Sequence, residues 1–376
     1  MALTKLDAPW GDAVTHALTQ ECCAKIVALG VRYDAEPAFP ALSLAVLAKA
    51  GINDLFEASA EPAGRFQDVL AKYGAMFEVL RLVGRADLSI GRLLEGHINA
   101  MELLGWYGNE AQIAGAQADV KRGQWYGVWA TELPPGVEIG VKGDTPILVG
   151  RKCFASGAGG LAKAIVTVRA KDGGRHMVLT PANDSARADT SNWRVRGMRS
   201  TVSGTYDLTG VRFDPADIVG SPADYDADPR FTAGAWRFLA VQLGGIEALL
   251  SEVRAVVRSR LEEDPVARSQ FSNGIVATRT AYLWVRQSMM RAAHDQSDAV
   301  PLVQMARGVV ERAALDVKEL GARLVGTRHA FTGERIDKID RDLSLYLRQA
   351  GPDHARDQAA SSWIDSDRWS EEDALW

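Results

Sequence analysis

The side chains able to move or hold a proton near neutral pH are few, and their spacing limits the chemistry open to this chain. Six histidines occur in 376 residues. His329 and His354 stand in the C-terminal third, with Asp353 beside His354. A histidine titrates in the range that acid–base work needs, so His354, Asp353 and His329 are candidate proton acceptors. Arg341-Asp342 precedes Tyr346, whose phenol can donate a hydrogen bond. Two hydroxyls end short β-rich runs: Thr131 in Tyr126-Gly-Val-Trp-Ala-Thr-Glu132, and Ser156 in Lys152-Cys-Phe-Ala-Ser156-Gly157. Cys22, Cys23 and Cys153 are too few for a disulfide framework or a cysteine-rich zinc site. No His/Cys/Asp group has metal-ligand spacing, so no metal is expected. Gly157-Ala-Gly-Gly160 lacks a following Lys-Ser/Thr and is not read as a phosphate loop.

Three textures of sequence must position these residues. From about Trp10 to Tyr107 apolar residues recur at three and four. Ile90, Leu93, Leu94, Ile98, Met101 and Leu104 form the clearest helical stripe. Between Gly123 and about Asp228 short β-rich runs are expected at 146–149, 164–168, 177–180, 193–196 and 211–213. Gly, Pro, Asn and Asp clusters separate them, which reads as antiparallel β in a sandwich or barrel. From about Phe231 the helical period returns, with helices expected at 235–262, 272–294 and 300–324 that form a bundle. Asp264-Pro265 and the stretch 298–301 are the stops between them, and the tail from Ser361 has no clear period. The expected organisation is a helical domain over 1–122, a β domain over 123–228, and a helical bundle with tail over 229–376.

Composition narrows the partners. With 43 basic and 48 acidic side chains the formal net charge is −5, and no basic stripe stands out, which argues against nucleic acid. No apolar run approaches the roughly 20 residues of a membrane span. Met1 to Gly11 has no basic segment followed by an apolar core, so no secretory signal is expected. Sparse cysteine and no leader together point to the cytoplasm.

Helices, then strands, then a helical bundle, together with four local motifs, resemble the acyl-CoA dehydrogenase superfamily over nearly the whole chain. The motifs are Arg85-Ala-Asp-Leu-Ser-Ile-Gly91 with His97, the run ending in Thr131-Glu132, the run ending in Ser156-Gly157, and Gly197-Met-Arg-Ser200 followed by the segment 211–215. The resemblance implies a mainly α fold with a central β domain and a C-terminal four-helix bundle, binding FAD between the last two. It implies cofactor contacts from Trp129, Ala130, Thr131, Phe154 and Ser156. An isoalloxazine edge presents alternating donors and acceptors that strand amides and hydroxyls satisfy, tuning its potential. Phe154 is expected to cover one ring face. Leu324-Val-Gly326-Thr327 resembles the turn that reaches a neighbouring subunit's cofactor, with Arg323 near the pyrophosphate. This implies a homodimer or homotetramer built through the bundle, and the helix over 300–324 carries more apolar residues than one bundle face needs.

The resemblance fails at the catalytic base. Counted without gaps from Arg341, the dehydrogenases' Tyr-Glu-Gly-Thr falls on Gln349-Ala350-Gly351-Pro352, and Ala350 cannot take a proton. The alternative position, on the helix near 235–243, offers no carboxylate, and Glu247 beyond it reads as a solvated position. The leading expectation is an FAD-dependent oxidoreductase acting on an acyl thioester or related small molecule without the usual glutamate. A flavin-dependent monooxygenase of the same fold is the alternative, with Arg341-Asp342 and Ser156-Gly157 resembling its pattern and Tyr346 at its histidine position. A non-catalytic flavin-binding scaffold is the third reading.

Overall fold

The computed structural model describes residues 18–170, 173–296, 298–349 and 351–364. Among the described residues, six helices come first: α1 (Gln20–Ala35), α2 (Ala41–Lys49), α3 (Ile52–Leu55), α4 (Val69–Ala86), α5 (Leu88–Tyr107) and α6 (Glu110–Lys121). Side-chain caps start the longer ones. Asp68 accepts from the Ala71 amide at α4, and Asp87 from the Ile90 amide at α5. Asn109 and Gln112 form a capping box at α6, satisfying donors a helix start leaves free.

Nine strands follow: β1 (Tyr126–Trp129), β2 (Glu138–Lys142), β3 (Thr145–Val149), β4 (Arg151–Ala155), β5 (Lys163–Arg169), β6 (Arg175–Pro181), β7 (Ala188–Asp189), β8 (Gly204–Asp207) and β9 (Ile218–Val219). One sheet runs β3-β2-β5-β6-β9 with β1 also on β5, and the second runs β4-β8-β7. Most pairs are antiparallel, but β1 and β2 both meet β5 in parallel. The expected strand over 193–196 is absent: Trp193 lies in a turn, its indole donating to the Met198 carbonyl. The expected run 211–213 is reduced to one bridge, Arg212 to Ile147.

The C-terminal part holds α7 (Arg230–Ala233), α8 (Trp236–Val256), α9 (Arg258–Glu263), α10 (Pro265–Ala293), α11 (Ala299–Val325), α12 (Arg335–Tyr346) and α13 (Pro352–Ile364). The expected helix 235–262 breaks at Val257, whose φ of −107° leaves the helical region. Asp264-Pro265 does not merely stop a helix. Asp264 caps α10 and Pro265 fills its first position, so that helix begins earlier than its apolar period suggested.

Helices α4 and α8 cross at the centre of the molecule. Phe77, Leu80 and Val83 of α4 and Leu239, Leu243 and Ile246 of α8 are all buried in the same hydrophobic core. Burying a side chain of this size contributes about 1.5–3 kcal/mol. The crossing is closed by glycine: a Cβ on Gly84 would collide with the Val241 backbone, and one on Gly244 with the Arg81 carbonyl. Glu247, expected to be solvated, is instead mostly covered at this crossing and paired with Arg81 at 2.7 Å. Burial pushes its carboxyl upward against the pull of Arg81 and Arg85. Most of the α11 apolar stripe packs into the core, with Met305 left exposed. Helix α10 also presents apolar side chains outward, with Ile275, Val276 and Leu283 each at least half exposed.

Candidate functional site

The β-domain hydroxyls converge on one short chain of hydrogen bonds. In β4 the pairing with β8 shifts register between Lys152 and Ala155, so the strand bulges as it ends. The bulge puts Phe154 at φ 51° and delivers Ser156 beyond the strand. Ser156 Oγ lies 2.8 Å from Ser203 Oγ, Ser203 donates to Thr201 Oγ1 at 2.8 Å, and Thr201 donates to the Met198 carbonyl at 2.8 Å. Each hydroxyl has one proton. With the Ser203 proton spent on Thr201, Ser156 must donate to Ser203, which leaves its lone pairs open to a donor from outside. The Gly157 amide donates to the Thr201 carbonyl, and Trp129 Nε1 to the Ser156 carbonyl.

Backbone strain gathers here. Met198 (φ 54°) and Val202 (φ 40°) join Phe154, so three non-glycine residues with left-handed backbone lie along this one chain. Such conformations cost on the order of 1–3 kcal/mol each and persist where surroundings enforce them. The enforcement is visible. Asp342 Oδ1 accepts from the Met198 amide at 2.5 Å. Its other oxygen meets Lys338 Nζ at 2.6 Å, and Asp87 meets that ammonium from α5 at 2.9 Å. Two carboxylates hold the Lys338 ammonium above its usual range despite burial. Arg341 spans Asp34 and Asp337 and also donates to the Arg196 carbonyl. A Cβ on Gly197 would strike the Arg341 carbonyl, so this segment can lie flat on α12 only as glycine. The Arg341-Asp342 pair therefore braces the segment that carries Thr201 and Ser203.

Around Ser156, Trp129 is buried against Tyr206 with ring centroids 4.9 Å apart. Phe154 is exposed and meets Trp193 edge-on. Thr131 is exposed, and its carbonyl accepts from the Cys153 amide. The Ala130 carbonyl accepts from Lys152 Nζ and from Thr167. Fully buried Lys152 also pairs with Glu132, and burial pushes its ammonium down. Glu132 accepts from the Val137 amide as well, closing the loop after the Thr-Glu motif.

The remaining candidates are scattered. Asp353 and His354 stand exposed at the start of α13, where Asp353 pairs with Arg356, which holds its carboxyl low. His329 is buried against Gly321 in the turn after α11. Arg323 is an exposed charge paired with Glu319, one turn before exposed Gly326 and Thr327. Ala350 lies outside the described residues. Tyr346 is buried and its hydroxyl has no hydrogen-bond partner among them. Burial first, then nearby Glu95, holds its phenol protonated.

Helix α5 carries a second constellation that the apolar pattern hid. Arg92, Glu95, Asn99, Glu102 and Trp106 repeat at three and four along a face that turns inward. Arg92 and Asn99 both bond Glu95, and Asn99 Oδ1 accepts from Arg237 Nε of α8 at 2.6 Å. Glu102 pairs with Lys72 at 2.6 Å. His97 ties this helix to β1: its Nε2 meets the Asn53 carbonyl at 2.8 Å, and the Tyr126 amide donates to its Nδ1 at 3.0 Å. Burial pushes its pKa down to about 4, so the ring is neutral. The polar repeat was present in the sequence, but its burial follows from packing on both faces of the helix.

No protein-family model matches the chain. It is 27% identical to a dibenzothiophene monooxygenase of Rhodococcus erythropolis over 318 residues, covering 73% of this chain and 76% of that one. A dibenzothiophene monooxygenase of Mycolicibacterium goodii is 21% identical over 323 residues, covering 73% and 77%. Among solved structures, TdsC of Paenibacillus sp. A11-2, a dibenzothiophene monooxygenase captured with FMN and indole, superposes with a TM-score of 0.81. It is 18% identical, over 94% of this chain and 97% of that one. The helical, β and helical parts of this chain thus make up the acyl-CoA dehydrogenase-like fold.

Proposed function

We propose that this chain is a flavin-dependent monooxygenase that uses reduced FMN and molecular oxygen on a small organic molecule. The observation that carries the reading is the Ser156–Ser203–Thr201 chain on a strained, braced backbone, ending in a serine with open lone pairs. A flavin fits the surroundings: an exposed strand end at Thr131, buried Trp129, and the Phe154–Trp193 pair. Its likeness to the dibenzothiophene monooxygenases supports this alternative over the dehydrogenase reading, as do the two base positions that hold no carboxylate. FMN is favoured over FAD because the FMN-bearing TdsC shares the fold, and Arg323, expected at a pyrophosphate, is engaged by Glu319.

When bound, reduced flavin supplies the two electrons that let one atom of O2 enter the substrate while the other leaves as water. Ser156, as set by its chain, accepts an N–H from a ligand at the strand end. Rotating the three hydroxyls together reverses the chain and makes Ser156 a donor. That switch gives up one bond, Thr201 to the Met198 carbonyl, worth roughly 1 kcal/mol. The same hydroxyl therefore serves a donor at one stage and a developing negative charge at another. Thr131, with its hydroxyl facing solvent, is the second polar contact at the strand end.

The test mixes the chain, photoreduced FMN and air-saturated buffer, and follows hydrogen peroxide release. Wild type delays release relative to free reduced FMN, and Ser156→Ala shortens the delay by about 5–10-fold, the weight of one hydrogen bond. Release at the free-flavin rate with wild type sinks the proposal. Flavin bleaching by octanoyl-CoA would restore the dehydrogenase reading.

A further inference from the structure

The inward polar face of α5 ends at a guanidinium with no counter-charge. Arg237 is 6% exposed, and no carboxylate among the described residues lies within 4 Å of it. Its Nε is used by Asn99, while its two Nη nitrogens donate to no described residue. The connected group Arg92–Glu95–Asn99–Arg237 holds two guanidinia against one carboxylate, a net charge of +1. The neighbouring Lys72–Glu102 pair is balanced within itself. A buried charge without a partner is costly, and a guanidinium's planar fork matches a two-oxygen anion.

Aromatic rings frame this cation. The guanidinium carbon lies 5.8 Å from the Trp236 ring centre and 5.9 Å from that of Trp106. Trp236 Nε1, on the neighbouring residue, is buried with no hydrogen-bond partner among the described residues. Trp106 leads outward, because exposed Arg230 lies 5.1 Å from the same ring and 5.6 Å from Tyr107. On the segment before α7, Asp226 is paired with Arg175, Asp224 accepts from the Ser221 amide and Asp228 from the Thr232 amide. Glu102, paired with Lys72, and Asp295 act on Tyr73 together with Arg237 without pairing to that guanidinium.

We propose that Arg237 binds an oxyanion carried by the substrate, so that the preferred substrate is a flat aromatic molecule bearing a carboxylate or sulfonate. Arg230 and Trp106 form the way in. The proposal rests on the monooxygenase reading for calling this ligand a substrate, but the binding itself needs no flavin. That separation shapes the test.

Flavin-free chain is titrated with naphthalene-2-carboxylate, naphthalene-2-sulfonate and the neutral isostere 2-naphthamide, followed by calorimetry. Wild type binds the anions at least tenfold more tightly than the amide. Arg237→Gln brings the ratio to within twofold of one, Arg237→Lys keeps part of it, and amide binding stays unchanged. Equal binding of anions and amide by wild type overturns the proposal, and so does a ratio that survives Arg237→Gln. The wild-type ratio decides even if the glutamine variant does not fold. A merely structural arginine lowers stability on substitution while leaving the ratio alone. Anion preference without any effect of FMN on oxygen chemistry would retain this site and reject the monooxygenase reading.

Discussion

Acid should loosen the joint between α5 and β1, and His97 sets how much. Its ring is neutral in the fold because burial lowers its pKa from 6.5 to about 4. In the unfolded chain it takes a proton near pH 6.5. The stability it contributes is therefore present above that value and is lost as pH falls toward 4. The gap of about 2.5 corresponds to roughly 3 kcal/mol at its full extent. Between pH 7 and pH 4.5 the expected loss is about 2–2.5 kcal/mol. His97→Gln isolates this contribution, since an amide can donate to the Asn53 carbonyl and accept from the Tyr126 amide without titrating. Urea unfolding followed by tryptophan fluorescence at the two pH values gives both midpoints. The wild type should lose about 2 kcal/mol more than the variant over this interval. Equal losses, within about 0.5 kcal/mol, would refute the assignment of a neutral, doubly bonded His97.

Two further outcomes are expected. Asp342→Ala should cost about 3–5 kcal/mol, because it strips one carboxylate from buried Lys338 and frees the Met198 amide. Asp342→Asn should cost less, since its amide oxygen can still accept from Met198; urea midpoints that rank the two variants the other way would sink this account of the brace. The exposed side chains Ile275, Val276 and Leu283 on α10 are proposed as the seam of a homodimer or homotetramer. Light scattering should show an assembly at micromolar concentration that falls to monomer when all three become serine, and a wild-type monomer would end that idea.

Helical and β-rich regions were readable from period alone, because Leu93, Leu94 and Ile98 on α5, or the run within β5, repeat as their packing demands. Strand partners were not readable. That β1 pairs with β5 in parallel depends on chain far away in sequence. Thr131 and Ser156 stood out as hydroxyls, yet their fates differ: Thr131 faces solvent, while Ser156 joins Ser203, a residue no motif singled out. Asp342 was noticed as half of a pair but not as the support of Met198, since that contact joins residues 144 apart. Glu247 and the face of α5 from Arg92 to Trp106 share one reason for being misread or missed. Charged residues at helical spacing look solvated in a sequence, and only tertiary packing reveals that their partners are charged too.

The close approach of Gly84 to Val241 and of Gly244 to Arg81 bears on how a ligand arrives. At these two points the backbones of α4 and α8 meet without a side chain between them, and buried side chains pack the rest of the crossing, so the N-terminal helices are held tightly to the bundle. Parting them would mean breaking the most sealed region of the core. On the reading proposed above, a ligand held at Arg237 passes Trp106, Tyr107 and exposed Arg230. On that reading, entry depends on side-chain rotations at Trp106 and Arg230, on the timescale of surface rotamers and loops, rather than on a slower parting of the two halves.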